Sequence, residues 1–584
     1  MRFSFFHNRT GPALAGLCFL LVLAASSALG QQPDTSGKLP IEILPSIGTR
    51  LEYITTDSGA INKLIDNVAL RQGENYMYCD SAYINLEKNN VYAFGNVRLI
   101  QNSGTEVQSD YLRYTGNLKK AFLRGNVSLT DGKNNLWSEE LEYNLNTKVG
   151  VYTQGGTLQS EATTLSSNAG TYNAKTKDAR FTGEVYVTDP EYNVTSTDLG
   201  YNTETKVVHF LGESVVVNDR SVLYTSSGTW DAKNEIAHFT ERSSIQSEAQ
   251  YIEGDRLDYD RKTGFGTARG NVVAIDTAQK ATLFCGYAQY NEITRQLWAT
   301  IKPVMKRVNG EDSIYIRADT FYAAPVAQDS LQEKMQFSDS SFSSTTAGAQ
   351  KDSLTADSSI KRFFIGYHHV LVFSDSLQAR CDSISYSQAD STMRLMYDPI
   401  AWSRSSQITG DTILLYTDSS TIKKLFIPNN ALVVSMSGPE KANLFDQVQG
   451  KTLTGYFENN ALHHMVVFPA AEAIYYSKDD DGAYLGMNQA QSERIKVFFD
   501  SSEVSRIILE QEVRQKMTPM QQVNIPEAKL SRFRWHPEKR PQSIQELFLY
   551  EPENLPSTTE NPKEKEEAEK ASPAESDDRK RRNK

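Results

Sequence analysis

The stretch "YNAKTKDARFTGEVYVTD" (Tyr172 to Asp189) is restated 29 residues later as "YNTETKVVHFLGESVVVN" (Tyr201 to Asn218). A unit repeated at a fixed step must adopt one structure and stack it on itself, so few features constrain a fold more tightly. In steps of 29, an aromatic column runs Tyr114, Tyr143, Tyr172, Tyr201, Trp230, Tyr259, and a turn column follows it at Asn144, Asn173, Asn202, Asp231 and Asp260. A third column passes Gly125, Gln154, Gly183, Gly212, Glu241 and Gly270, often opening Gly-Asn-Val or Gly-Glu-Val. A fourth, Asp131, Ser160, Asp189, Asn218, Ser247 and Asp276, is again made of turn formers. Echoes at Asp66-Asn67-Val68, Gly95-Asn96-Val97 and Lys302-Pro303-Val304 extend the series to at least nine units between about residue 50 and 325.

Two turn columns divide each unit into two extended stretches of roughly ten residues. Asn and Asp suit the corners because they bond their own backbone and tolerate left-handed geometry. Between corners the pattern has period two: Leu112/Tyr114, Leu141/Tyr143, Leu199/Tyr201 and Leu257/Tyr259 share a face, with charged or hydroxyl residues on the other. The expected fold is all-β: ~29-residue two-strand repeats piled by antiparallel hydrogen bonding into two facing sheets with apolar inner faces. At a strand spacing of about 4.8 Å each unit rises roughly 10 Å, so nine units extend about 90 Å. Inner faces that pack tightly give a closed scaffold; inner faces that splay line a greasy groove.

Five residues before the aromatic column stand Ser109, Ser138, Ser167, Ser196, Thr225 and Gly254; Cys285, Cys381 and Cys79 hold the same place before Tyr290, Tyr386 and Ile84. These cysteines read as members of a close-packed small-residue column. They form neither a disulfide framework nor a Cys-x-x-Cys pair.

The flanks divide the chain further. Basic Arg2, His7 and Arg9, the apolar run "ALAGLCFLLVLAA" and small Ala28 and Gly30 read as a signal peptide over residues 1–30, cut near Gly30, with a lead-in over 31–49. The repeat domain spans 50–326, and a Ser/Asp/Gln/Thr-rich stretch over 327–362 reads as a flexible insertion. A second repeat segment follows over 363–536, with Tyr386, Tyr416, Phe457 and Phe499 at widening steps, and a charged disordered tail over 537–584. The net charge of −11 offers no basic stripe for nucleic acid.

No catalytic constellation emerges, and no cofactor is expected. "GFGTARG" (Gly264 to Gly270) lacks the spacing of a dinucleotide loop and reads as a repeat turn; "DDDG" (Asp479 to Gly482) lacks the alternation of a calcium loop. His368-His369 and His463-His464 are adjacent pairs on expected strands, where neighbours point to opposite faces and cannot share a metal. A Gly-x-Ser-x-Gly elbow is missing from the sequence.

The recurring "VYAFGNVRL", "AFLRGNVSL" and "ARFTGEVYV", each followed a strand later by "SDYLRY", "SEELEY" or "GDRLDY", resemble the LptA/OstA family of periplasmic lipopolysaccharide-transport proteins. "FDQVQGKTLTGYFENNALHHMVVF" and "EAIYYSKDDDGAYLGMN" are similar to longer OstA-like proteins of the Bacteroidetes type. The resemblance covers most of residues 50 to 515. It implies a folded-over "β-taco" jelly roll, without enzymatic activity, that binds lipid A acyl chains. It also implies partners: lipopolysaccharide, transport components at the inner and outer membranes, and head-to-tail copies of itself. The expected lipid-facing residues are Leu112, Tyr114, Val127, Leu141, Tyr143, Val185, Leu199, Tyr201, Trp230, Leu257, Tyr259 and Val272. The alternative reading is a closed β-solenoid scaffold or adhesin of the cell envelope with no lipid cargo.

Overall fold

A computed structural model of the chain describes residues 42–326 and 361–550, apart from short stretches at strand turns, the longest being 101–105. The expected signal peptide, nearly all of the 327–362 insertion and the tail beyond residue 550 lie outside the described residues. Within them, 46 strands join in one antiparallel hydrogen-bonded system. This is the all-β, two-sheet jelly roll expected from the period-two repeats.

Each long strand is bent across its middle. Asn75–Asn85 pairs with Asn90–Ile100, and that pairing with Glu106–Thr115, but the register breaks between Phe94 and Val97. The same break recurs between Arg124 and Val127, Thr182 and Val185, and Arg269 and Val272. One half of each strand therefore belongs to one wall and the other half to the facing wall. In later units the halves are separate strands. Wall A runs through Val207–Phe210, Gly228–Asp231, Ile236–Phe239 and Arg256–Asp260. Wall B runs through Ser214–Asn218, Ser221–Thr225, Ser243–Ser247 and Gln250–Gly254.

The third sequence column supplies this fold line. Gly95, Gly125, Gly183 and Gly270 have φ of 68°, 75°, 70° and 72°, and the next residues, Asn96, Asn126, Glu184 and Asn271, are left-handed as well. A side chain is excluded at the glycine on two counts. The backbone favours glycine there, and a Cβ on Gly270 would lie 2.4 Å from Asp255 Oδ2. The asparagine then ties the line to the neighbouring strand: Nδ2 of Asn96, Asn126, Asn271 and Asn430 donates to Asp80 (2.9 Å), Asp110 (2.8 Å), Asp255 (2.8 Å) and Asp411 (2.9 Å). In the second half the line continues at Ile301-Lys302, Tyr397-Asp398 and Gln511-Glu512, again left-handed pairs.

Two expectations change on this geometry. His368 and His369 are not strand neighbours on opposite faces; both have positive φ and sit on the fold line. His463 and His464 do lie on the strand Ala461–Phe468, yet their Nδ1 atoms are 2.9 Å apart, because the ladder slips between Tyr456 and Phe457. Likewise "GFGTARG" is more than one turn: Gly264 (φ 64°) turns the chain, the strand begins at Phe265, and Gly270 makes the fold line.

The small-residue column lies just before the fold line. There the hydroxyls of Ser109, Ser138, Ser167 and Ser196 donate to the carbonyl two residues on, at 2.9–3.1 Å. Each adds a side-chain donor to a carbonyl beside the break in the ladder. Cys381 does the same more weakly toward Ser383 O at 3.3 Å. Burial pushes the thiols of Cys79, Cys285 and Cys381 up to about 12.

Residues 520–550 form a strap across the outer face of wall B. Buried glutamines hold its backbone as a ladder would. Gln447 donates to Ala528 O (2.9 Å) and accepts from Leu530 N (2.8 Å); Gln407 donates to Arg534 O (2.8 Å) and accepts from His536 N (2.8 Å). Phe533 and Trp535 pack on Phe445, each with centroids 5.3 Å away. Arg540 Nε donates to Gln378 (2.9 Å), the helix Ile544–Leu549 buries Leu547 completely, and buried Arg317 donates to Tyr550 O (3.2 Å). Residues 537–550, read from sequence as tail, thus belong to the folded body; the charges of Glu538, Lys539 and Arg540 concealed a run whose Leu547 and Phe548 dock on the wall.

Gly270→Ala is expected to cost about 1–3 kcal/mol through backbone strain and the clash with Asp255, read as a lowered urea midpoint. Gln447→Leu is expected to cost about 1–3 kcal/mol by stranding Leu530 N–H and Ala528 C=O, checked in the same titration. Because the three thiols stay protonated far above neutral pH, iodoacetamide at pH 8 is expected to leave all three unlabelled in the folded protein and to label all three in urea; mass spectrometry checks this.

A candidate lipid site between the walls

The inner faces are apolar because every second residue of each half-strand points between the walls. Over the first units these side chains fill the space themselves. Leu112, Val127 and Leu141 are buried in one cluster, with Tyr114 half-buried against it. Val185, Leu199, Trp230, Leu257 and Val272 belong to a second, with Tyr259 half-buried on it. Tyr143 and Tyr201 are 0% and 3% exposed. All twelve residues expected to face lipid are therefore inner-face residues.

Further along, the walls part. A cavity of about 760 Å³ opens between them, lined by Ala274, Leu283, Leu297, Met305, Ile314, Phe321, Phe364, Met393 and Leu415 among others. On wall A its lining runs from Tyr290 to Ile422, across eight consecutive strands, or about 34 Å at seven spacings of 4.8 Å. None of the twelve expected residues lines it. Inner-face positions shrink here to Ala274, Ala281 and Ala323, and the fold brings together Arg295, Arg307 and Arg362, which lie apart in the sequence.

The cavity's mouth lies at the strand turns, opposite the fold line. Arg295, Arg307 and Arg362 stand there. Arg362 Nη2 donates to Arg295 O (2.9 Å), and the Arg307 guanidinium lies 5.6 Å from the Tyr386 ring on the other wall. A second contact crosses the mouth, from Gln388 Nε2 to Gln279 Oε1 at 3.3 Å. The arrangement is an apolar interior beneath a rim of three arginines and the Asp276 carboxylate, bridged by the Arg307–Tyr386 and Gln388–Gln279 contacts, a chemistry suited to amphiphiles with anionic heads. Among the described residues, no three His, Cys, Asp or Glu side chains gather as metal ligands, and no helix is long and apolar enough to cross a membrane.

Comparison with known proteins adds the following. The family described as OstA-like protein matches residues 48–198. Among solved structures, the chain is similar to LptH, the LptA-homologous periplasmic component of the lipopolysaccharide transport device of Pseudomonas aeruginosa. The identity is 15%, covering 24% of this chain and 95% of that one, with a TM-score of 0.19. No curated protein matches. Over residues 48–198, about a quarter of its length, the chain is thus similar to the OstA-like family.

Proposed function

We propose that this protein is a non-enzymatic periplasmic bridge that holds lipopolysaccharide by its lipid A acyl chains and passes it from the inner toward the outer membrane. The observation that carries this reading is the largely apolar cavity between the walls with arginines at its mouth. Each methylene taken from water contributes about 0.8 kcal/mol, so acyl chains supply affinity without any polar contact in the interior. Guanidinium groups at 295, 307 and 362 match the phosphates of such a lipid. The OstA-like match and the description of LptH as part of a lipopolysaccharide transport device support the same reading. Export through a signal peptide cut near Gly30 fits the same location.

Stacking of copies is supported by the ends. The last strands of the two walls, Glu503–Glu510 and Arg514–Pro519, each pair on one side only. Such edges accept further strands.

The packed first units, with Val185 and Tyr143 both fully buried, favour the competing reading of a closed scaffold. Photo-crosslinking in cells separates the two. Benzoylphenylalanine at Leu297 or Met393 is expected to yield lipopolysaccharide adducts on irradiation. Protein-only products from both cavity positions and from Leu141 would establish the scaffold instead.

A further inference from the structure

One unit breaks the pattern of its neighbours at the fold line. Where they read Gly125-Asn126-Val127 and Gly183-Glu184-Val185, it reads Gln154-Gly155-Gly156. Inside the fold, the Tyr152 ring takes the place of the missing valine. A Cβ on Gly156 would lie 2.7 Å from it and one on Gly170 2.4 Å, while its hydroxyl bonds Ser167 Oγ at 2.5 Å. Outside, nothing replaces the missing asparagine: around the would-be Cβ of Gly155 (φ +80°) there is open space.

The result is a depression of about 510 Å³ on the outer surface of wall B, where it meets the fold line. Its sides are two aromatic rings that packing does not require there, Trp137 and Tyr186, 43% and 50% exposed. Trp137 pairs with Thr157, Thr157 with Ser166, and Ser166 with Tyr186. The rings thus stand on strands three spacings apart, about 14 Å, over a floor of two small hydroxyl residues. Toward the fold line the depression is bounded by the carboxylates of Glu139 and Glu184 and the amides of Asn126 and Asn168.

We infer that this depression is a glycan-binding site that holds about two linked pyranose rings. The electron-rich ring faces of Trp137 and Tyr186 attract the C–H faces of sugars. Glu139, Glu184, Asn126 and Asn168 offer acceptors and donors to sugar hydroxyls, and the small floor lets a flat ring approach the sheet. The ring separation decides against a cage for one ammonium group, which needs aromatic faces within about 6 Å of the charge. Glu241-Arg242-Ser243 departs from the rule as well, but only at Gln154-Gly155-Gly156 does the departure leave an open glycine outside while Tyr152 fills the place of the valine inside. The site faces away from the mouth of the lipid cavity and stands independently of the lipid reading. The sugars could belong to the cell wall or to lipopolysaccharide itself; the pyranose chemistry is shared.

The test is a fluorescence and calorimetric titration of the full chain with two probes, chitotetraose and lipid-free core oligosaccharide. Saturable binding of at least one is expected, with Trp137→Ala and Tyr186→Ala each weakening it about tenfold or more. Gly155→Asn, which puts back the residue that the preceding unit carries, left-handed, at Asn126, is expected to weaken binding equally while leaving the thermal midpoint unchanged. Binding of chitotetraose alone identifies a wall glycan, and binding of the core alone a lipopolysaccharide glycan. Absence of binding to both at millimolar concentration, or binding unaffected by Trp137→Ala and Gly155→Asn, overturns the assignment.

Discussion

The architecture depends on one local constraint, the left-handed pair that folds each strand over. With Gly at the first position and Asn at the second, the backbone turns from wall A into wall B without losing its ladder for more than two residues. Where the second residue is Asn, its bond to an Asp of the neighbouring strand ties the fold line to the last. Because every unit bends at the same point, the bends align, and the two halves of every strand face each other. A conventional corner at the same place would give a single flat sheet with one wet face. The trough exists because the sheet is creased.

The walls are not equivalent. Over its last strands, wall B is buried on both faces, by the opposite wall inside and by the strap outside. Its outer face therefore carries Leu432, Val434 and Phe445 where earlier units carry polar residues. The glutamines 378, 407, 447 and 449 are 1–6% exposed, and each meets the strap through hydrogen bonds. Wall A keeps an exposed outer face at the same strands, with Tyr456, His464, Phe498 and Arg506 stacked across it at 4.6, 5.5 and 4.2 Å. One wall is braced and the other is bare.

Much of this was legible in the sequence for a physical reason: local turn chemistry and alternation are written at each position, and repetition averages out the noise. The corners at Asn144 and Asn173, the period-two faces and the inward placement of Leu141, Tyr201 and Trp230 follow from residues next to one another in the chain. What stayed hidden depends on distant pairing. Gly-Asn-Val was visible as a column, but only the register break shows that it folds a strand rather than ending it. Leu547 reads as a member of the charged tail and Trp535 as the end of the second repeat segment, since the surfaces that bury them lie far upstream, at Phe445 for Trp535. The cavity arises from small differences in side-chain volume summed over eight strands, and no single position announces it.

A lipid-carrying trough raises an energetic question that the cavity helps to answer. In the first units the interior is already filled, so admitting an acyl chain exchanges one hydrocarbon contact for another, and the hydrophobic term changes little inside the protein. What remains is the work of parting the walls. At the fold line this is prohibitive, since the covalent chain holds every unit and Asn–Asp bonds add to it at Asn96, Asn126, Asn271 and Asn430. At the mouth it is slight. Near the cavity the walls meet through the Gln388–Gln279 hydrogen bond and the Arg307–Tyr386 contact, together on the order of 1–3 kcal/mol. Two or three methylenes leaving water offset that at about 0.8 kcal/mol each. On the proposed reading the trough would open where its contacts are weakest, along the edge opposite the crease, where Arg295, Arg307 and Arg362 stand.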